Sequence, residues 1–333
     1  MGRVCAEENV TRWAVLDMGS NTFLLLVAEW YPALKRLRII DDVHSIAKLG
    51  ASVSETQQVE EQGVNYATAI ATFYNNLCVH HKAQKVWAIG TAVFRHAINA
   101  QEVLDKLGSC FTIPFRSTIL SPEQEAILSF WGAELPKRTQ HSLVIDVGGG
   151  STEISIGKRW DVMFHCSLPI GALWLSDKVK QLRWDLETTY DFVNSLILKE
   201  LQFNGYSSLC ERAYALAGTP VTIAGILAGI PYEQWWRMHN YEIPRDALNR
   251  LLPWLWEQGA KLRYHPSVHP ERADILPAGA LILDALMSYL QLPSVYVSIY
   301  GLRYGALCEL LRSEGLLDFA DDFDVEDPRL SSQ

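Results

Sequence analysis

Two aspartates, Asp17 and Asp146, each stand two residues ahead of a glycine that opens a small, hydroxyl-rich turn. Gly19, Ser20, Asn21 and Thr22 follow the first; Gly148, Gly149, Gly150, Ser151 and Thr152 follow the second. A strand–turn–strand of this composition gathers several backbone N–H groups around one concavity, a geometry that accepts phosphate oxygens. An aspartate at its edge can hold Mg²⁺ directly or through water, because a hard divalent cation takes carboxylate oxygen. Three consecutive glycines permit close approach of the backbone to an anion, at a cost in conformational entropy. Each turn alone could be an ordinary hairpin connection. The same aspartate placement in both argues for a shared role.

These turns need elements to hold them. Residues 12–30 read as strand, tight turn, strand, with β-prone Trp13, Val15 and Phe23 to Val27 on either side. Residues 37–49 continue as strand, and the apolar spacing from Ser54 to His80 is helical. Val86 to Ile89 is a short buried strand ending in Gly90-Thr91, residues 99–107 a helix, and residues 115–120 a strand. Ser121-Pro122-Glu123 then opens a helix to about Glu134: serine caps it, proline takes its first position, and the acids suit its positive end. After a polar loop at 136–141, residues 142–157 repeat strand, glycine-rich turn, strand. This is a structural echo of the first hairpin rather than a sequence repeat. Ala213 to Ala217 is a short strand running into Gly218-Thr219-Pro220. The remainder to about Leu316 is mainly helical with a strand at 294–297, and the acidic tail, residues 318–333, is expected to be disordered.

Composition narrows the function classes. The 333 residues exceed one ordinary core and predict two domains, and 49% hydrophobic with 20% charged residues is a globular balance. A net charge of −9 excludes nucleic acid and anionic membrane as partners held by bulk electrostatics. A polyanionic substrate must then be held by amides, a metal and a few placed cations. No apolar run reaches the roughly 18 residues of a membrane span, and the polar start, Met1 to Thr11, lacks the apolar core of a signal peptide. The six cysteines form no C-x-x-C pair, which predicts a reducing, cytoplasmic setting without a zinc site or disulfide framework. The nine histidines show no ligand spacing such as H-E-x-x-H. Eleven tryptophans, among them Trp235-Trp236, suit core or interface, and a tryptophan-lined interface would fit a homodimer.

LDMGSNTFLLLVAE (16–29) resembles the first phosphate motif of the actin-like ATPase superfamily, and IDVGGGSTEISIG (145–157) resembles its second. Within that superfamily the chain resembles the Ppx/GppA family, the exopolyphosphatases and guanosine pentaphosphate phosphohydrolases. Supporting stretches are GTAVFRHAINA (90–100), ILSPEQEA (119–126), SLPIGALWLSD (167–177), LAGTPVTIAGI (216–226), ERADILPAGALIL (271–283) and VSIYGLRYGAL (297–307). The resemblance runs over about residues 12–312.

The resemblance implies an α/β fold of two actin-like (ribonuclease-H-like) domains flanking a cleft. Domain I would span residues 11–126, with the helix near 303–317 packing back on it, and domain II residues 127–302. It implies a short form without the additional helical HD-like domain of some relatives. It implies a water nucleophile activated by a glutamate of the family motif I-S-G-x-E-E-A, whose second glutamate matches Glu125. The first is Gln124 here, and Glu123 stands one place earlier. By position alone, Glu123 and Glu125 also complement a helix dipole. Arg95 matches the arginine that meets substrate phosphate, in keeping with the forked grip of guanidinium on phosphate. Glu153 matches an acid near the metal, so Asp17, Asp146 and Glu153 are the expected Mg²⁺ set. Ser20, Asn21, Thr22, Arg95, Gly148, Gly149, Gly150, Ser151 and Thr152 are the expected phosphate contacts. Arg303 in GLRYG matches the family's GLREG with Tyr304 in place of glutamate, and Arg272 reads as structural. Ala217-Gly218-Thr219-Pro220 departs from the superfamily's nucleotide-contacting G-G-T, which argues against an ATPase or kinase. A non-catalytic sensor of the same ligands is the other alternative.

Overall fold

The computed structural model describes residues 10–50, 53–135, 141–201 and 210–330; most of the expected 136–141 loop lies outside these. The chain divides into two units, Met1–Arg138 with Leu302–Gln333, and Thr139–Gly301.

The first unit opens with β1 (Thr11–Met18), β2 (Thr22–Tyr31) and β3 (Arg36–Ile46). It continues through α1 (Val53–Thr56), α2 (Glu61–His80), β4 (Lys85–Gly90), α3 (Ala92–His96), α4 (Ala100–Gly108), β5 (Phe115–Ile119) and α5 (Pro122–Ala133). Every residue of β1 from Trp13 to Met18 is buried, the near-continuous apolar run of a strand covered on both faces. α2 turns Val64, Ala67, Ile70, Ala71, Tyr74 and Cys78 into the core. This is the helical spacing read from the sequence, although the helix starts at Glu61 rather than at Ser54. Ser121 caps α5 in a capping box: its hydroxyl accepts from the Gln124 amide (3.1 Å) and the Gln124 side chain accepts from the Ser121 amide (2.9 Å).

The second unit contains β6 (His141–Val147), β7 (Thr152–Lys158), β8 (Asp161–Leu168), α6 (Ala172–Leu182), α7 (Leu186–Glu200), β9 (Arg212–Leu216), α8 (Gly218–Ala228), β10 (Glu242–Pro244), α9 (Arg245–Gln258), α10 (Leu276–Tyr289) and β11 (Ser294–Val297). α10 is buried at every position from Leu276 to Met287, so it lies inside the unit rather than along one face of it. The chain then returns to the first unit with α11 (Leu302–Ser313) and β12 (Asp324–Glu326).

The two sheets share one plan. In the first, the order β3-β2-β1-β4-β5 joins an antiparallel β1–β2–β3 meander to parallel β1, β4 and β5. In the second, β8-β7-β6-β9-β11 repeats both order and strand sense. Each sheet gains one edge strand, β12 parallel to β3 and β10 antiparallel to β11.

Two expectations change. α5 belongs wholly to the first unit, where it packs on α11, so the division falls after residue 138 rather than 126. The acidic tail is ordered over its described part: β12 pairs with β3, Phe323 packs edge-on against Trp30 (5.7 Å), and Phe319 against Trp131 (4.7 Å). Composition counts the acids, but two aromatic anchors and strand pairing hold the segment.

Candidate active site

The two hairpins that carry the candidate turns have the same register. Asp17 lies opposite Leu24 and Met18 opposite Phe23; Asp146 lies opposite Glu153 and Val147 opposite Thr152. In each, the first glycine closes the turn, Gly19 donating to the Thr22 carbonyl and Gly148 to the Ser151 carbonyl, both at 3.0 Å. The turns' carbonyls face into their own units. Asn21 O accepts from the amides of Ala47 (2.8 Å) and Lys48 (3.0 Å), and Ser20 O from Gly50 (2.8 Å). In the second unit Gly148 O accepts from Ala172 (2.9 Å), and Gly149 O from Leu173 (3.0 Å) and Trp174 (3.1 Å) at the start of α6. Gly171 makes that approach possible, since a Cβ there would lie 2.6 Å from the Gly150 nitrogen. Because the carbonyls are engaged, the amides of Ser20, Asn21, Gly149, Gly150 and Ser151 have no acceptor among the described residues. Amide donors left without an acceptor in this way are of the kind that can bind an anion. Asn21 is 5% exposed and its Oδ1 has no partner among the described residues. Thr22 Oγ1 accepts from Asn21 Nδ2 at 3.3 Å. Thr152 is fully buried and its hydroxyl donates to Ile170 O (2.6 Å).

In the first unit Met18, Gly90 and Ile119 stand side by side at the carboxyl ends of the parallel strands, the edge where open α/β sheets bind ligands. Asp17, buried, lies one residue before that edge. Arg95, on α3 just past β4, and Glu125, in the first turn of α5, meet there. Arg95 Nη1 donates to Glu125 Oε2 (2.6 Å) and to Leu120 O (3.0 Å). Both side chains are largely buried, so this pair is charge-assisted and weakly screened. Arg95 Nε and Nη2 donate to no acceptor among the described residues, which leaves two nitrogens of the fork for an anion. Glu123, by contrast, is exposed.

In the second unit Asp146, Glu153 and Ser167 form one row across β6, β7 and β8. Glu153 is 2% exposed and its Oε1 accepts from Ser167 Oγ (2.8 Å). β8 was not expected from the sequence; the signal available was Val162, Phe164, Cys166 and Leu168 at alternate positions. Two carboxylates directly opposite repel unless a cation lies between them or nearby. Among the described residues no three His, Cys, Asp or Glu side chains gather into a metal site. Two all-oxygen ligands still suit Mg²⁺, which keeps several waters and takes the rest of its shell from substrate phosphate.

The third turn begins at Ala217, whose φ of 71° and ψ of −171° lie in a region suited to glycine. The Arg272 guanidinium packs against Gly218, and its desolvation lowers its pKa to about 10. Arg303 lies elsewhere in the first unit. Its Nε and Nη2 grip Asp42 at 2.8 and 2.9 Å, and Tyr304 donates to the same carboxylate at 2.8 Å. A glutamate in place of Tyr304 would face Asp42, so the departure from the family motif matches this local charge.

The model of the Ppx/GppA phosphatase family matches residues 27–314. The chain belongs to the Ppx/GppA phosphatase family. That match begins within β2, and the shared hairpin register is what ties the Asp17 turn to the Asp146 turn. An exopolyphosphatase 2 of Mycobacterium tuberculosis is 28% identical over 83% of this chain and 90% of its own length. A guanosine-5'-triphosphate,3'-diphosphate pyrophosphatase of Photobacterium profundum is 24% identical over 90% of this chain and 59% of its own length. The crystal structure of the Aquifex aeolicus family member matches with a TM-score of 0.72 at 25% identity, over 92% of this chain and 99% of that one. The fold is the actin-like α/β fold of this family. Among the described residues no helix is long and apolar enough to cross a membrane.

Proposed function

We propose that this chain hydrolyses the terminal phosphoanhydride bond of inorganic polyphosphate or guanosine pentaphosphate, releasing orthophosphate. The observation that carries the reading is the Arg95–Glu125 pair at the carboxyl edge of the first sheet, beside a turn whose amides lack protein acceptors. Water attacks the terminal phosphorus, the bond to the bridging oxygen breaks, and Glu125 accepts the proton that water loses. Such a loose transition state demands positioning and charge neutralisation more than covalent help. Arg95 offers Nε and Nη2 to the phosphate while Nη1 keeps Glu125 in place, so one side chain fixes both base and substrate. In the first unit Ser20 and Asn21 offer contacts to phosphate oxygens, and in the second the amides of Gly149, Gly150 and Ser151 do the same. Asp146 and Glu153, side by side in the second unit, would hold Mg²⁺, which neutralises phosphate charge when bound; Asp17 takes the matching place in the first unit's hairpin. These local donors also explain how a chain of net charge −9 can take a polyanion.

A phosphate-release assay tests this with polyphosphates of several lengths, guanosine pentaphosphate and ATP, each with Mg²⁺ or with EDTA. The expected outcome is Mg²⁺-dependent release from polyphosphate or guanosine pentaphosphate, with ATP the poorest substrate. Preferential turnover of ATP, or binding of all three without release, contradicts it.

A further inference from the structure

We infer that Ser167 is a positioning residue for the metal carboxylates of the second unit. The inference rests on the Mg²⁺ reading proposed above and extends it to a residue outside the expected metal and phosphate sets.

Ser167 is third in the row Asp146–Glu153–Ser167, and directly opposed residues on antiparallel strands present their side chains to the same face. Its hydroxyl donates to Glu153 Oε1 at 2.8 Å. A glutamate has three side-chain torsions, and Glu153 is almost fully buried, so an unanchored carboxylate would need another donor or would swing away from Asp146. The serine meets both needs: it satisfies one oxygen and fixes the rotamer on the row. The hydrogen bond also withdraws some charge from two adjacent carboxylates, which repel each other before a cation arrives. Outer-shell partners of this kind set ligand orientation, and their loss typically weakens metal affinity about 10–100-fold.

The first unit shows that the hairpin geometry does not itself require this chemistry. There the matching row is Asp17–Leu24–His44, with leucine where Glu153 stands and histidine where Ser167 stands. Strand pairing is the same in both rows; the second carboxylate and its hydroxyl donor occur together, in the second unit alone. A serine kept only for packing would have no reason to accompany the glutamate.

The test measures Mn²⁺ and Mg²⁺ binding to the full chain by calorimetry, without substrate, for wild type, Ser167→Ala, Ser167→Thr and Ser167→Val. Threonine and valine have nearly the same shape, and only threonine keeps the hydroxyl. The expected result is about 10–100-fold weaker binding by the alanine and valine variants, near-wild-type binding by threonine, and recovery of phosphate release at high Mg²⁺. Should alanine not fold, the threonine–valine pair alone gives the comparison. Equal affinity in threonine and valine overturns the role of Ser167. Absence of ion binding by a wild-type chain that still hydrolyses substrate overturns the Mg²⁺ reading itself, and this inference with it.

Discussion

Arg95 is the residue on which the site turns, because it serves two partners. Its Nη1 holds the Glu125 carboxylate by a charge-assisted hydrogen bond. Replacing Arg95 by methionine removes that donor at similar length. kcat is expected to fall as Glu125 loses its anchor, and KM to rise as the phosphate loses its fork. Unchanged kcat and KM would separate Arg95 from both roles. Gln124 stands where the family motif has glutamate. Its side chain closes the capping box and points to the backbone, so glutamine replaces glutamate in a capping role while Glu125 remains buried beside Arg95. The sequence could place Glu125 at a helix start. It could not show the arginine that turns a dipole-favoured acid into a candidate base, because their contact spans 30 residues.

At the scale of elements, the two hairpins were the most legible feature. Their apolar flanks, aspartates and turn residues recur at matching spacing, and pairing register follows from turn length. Of the four edge strands β5 was read at 115–120, but β8, β10 and β12 were not legible. β8 alternates weakly, β10 and β12 have three residues each, and pairing with a distant neighbour decides such short segments. The β9–α8 turn adds a local prediction. Ala217 occupies a backbone region that costs a non-glycine residue about 1–3 kcal/mol. Ala217→Gly relieves that strain against roughly 0.5–1 kcal/mol of added chain entropy. The variant is expected to melt a few degrees higher by calorimetry, and a lower melting temperature would show that contacts of the alanine methyl outweigh the strain.

The first unit is held together by the segment that follows α11. Arg329, just past β12, donates to Asp42 (3.0 Å), to Tyr304 (3.0 Å) and to Asp327 (2.6 Å), so it completes the buried cluster around Asp42. Burial pushes the Asp42 carboxyl up, but the charges of Arg303 and Arg329 and the hydrogen bonds from Arg303 and Tyr304 outweigh it and hold it at about 2. The ordinary value for an aspartate, taken for the unfolded chain, is 3.8. The stabilisation is therefore fully present above that value and is lost as pH falls through about 2; the shift corresponds to roughly 2 kcal/mol. Arg329→Met is expected to lower the melting temperature of the first unit by several degrees at neutral pH and to raise the pH of acid unfolding. Unchanged melting would show that the tail only rests on the sheet.

The central claim is that Glu125 is the base for hydrolysis, and Glu125→Gln tests it most directly because the amide keeps the side chain's shape. With Mg²⁺ and saturating polyphosphate or guanosine pentaphosphate, whichever the wild-type chain hydrolyses, phosphate release is expected to fall about 10²–10⁴-fold while substrate binding persists. A Glu125→Gln chain that is folded and releases phosphate at the wild-type rate would contradict the account.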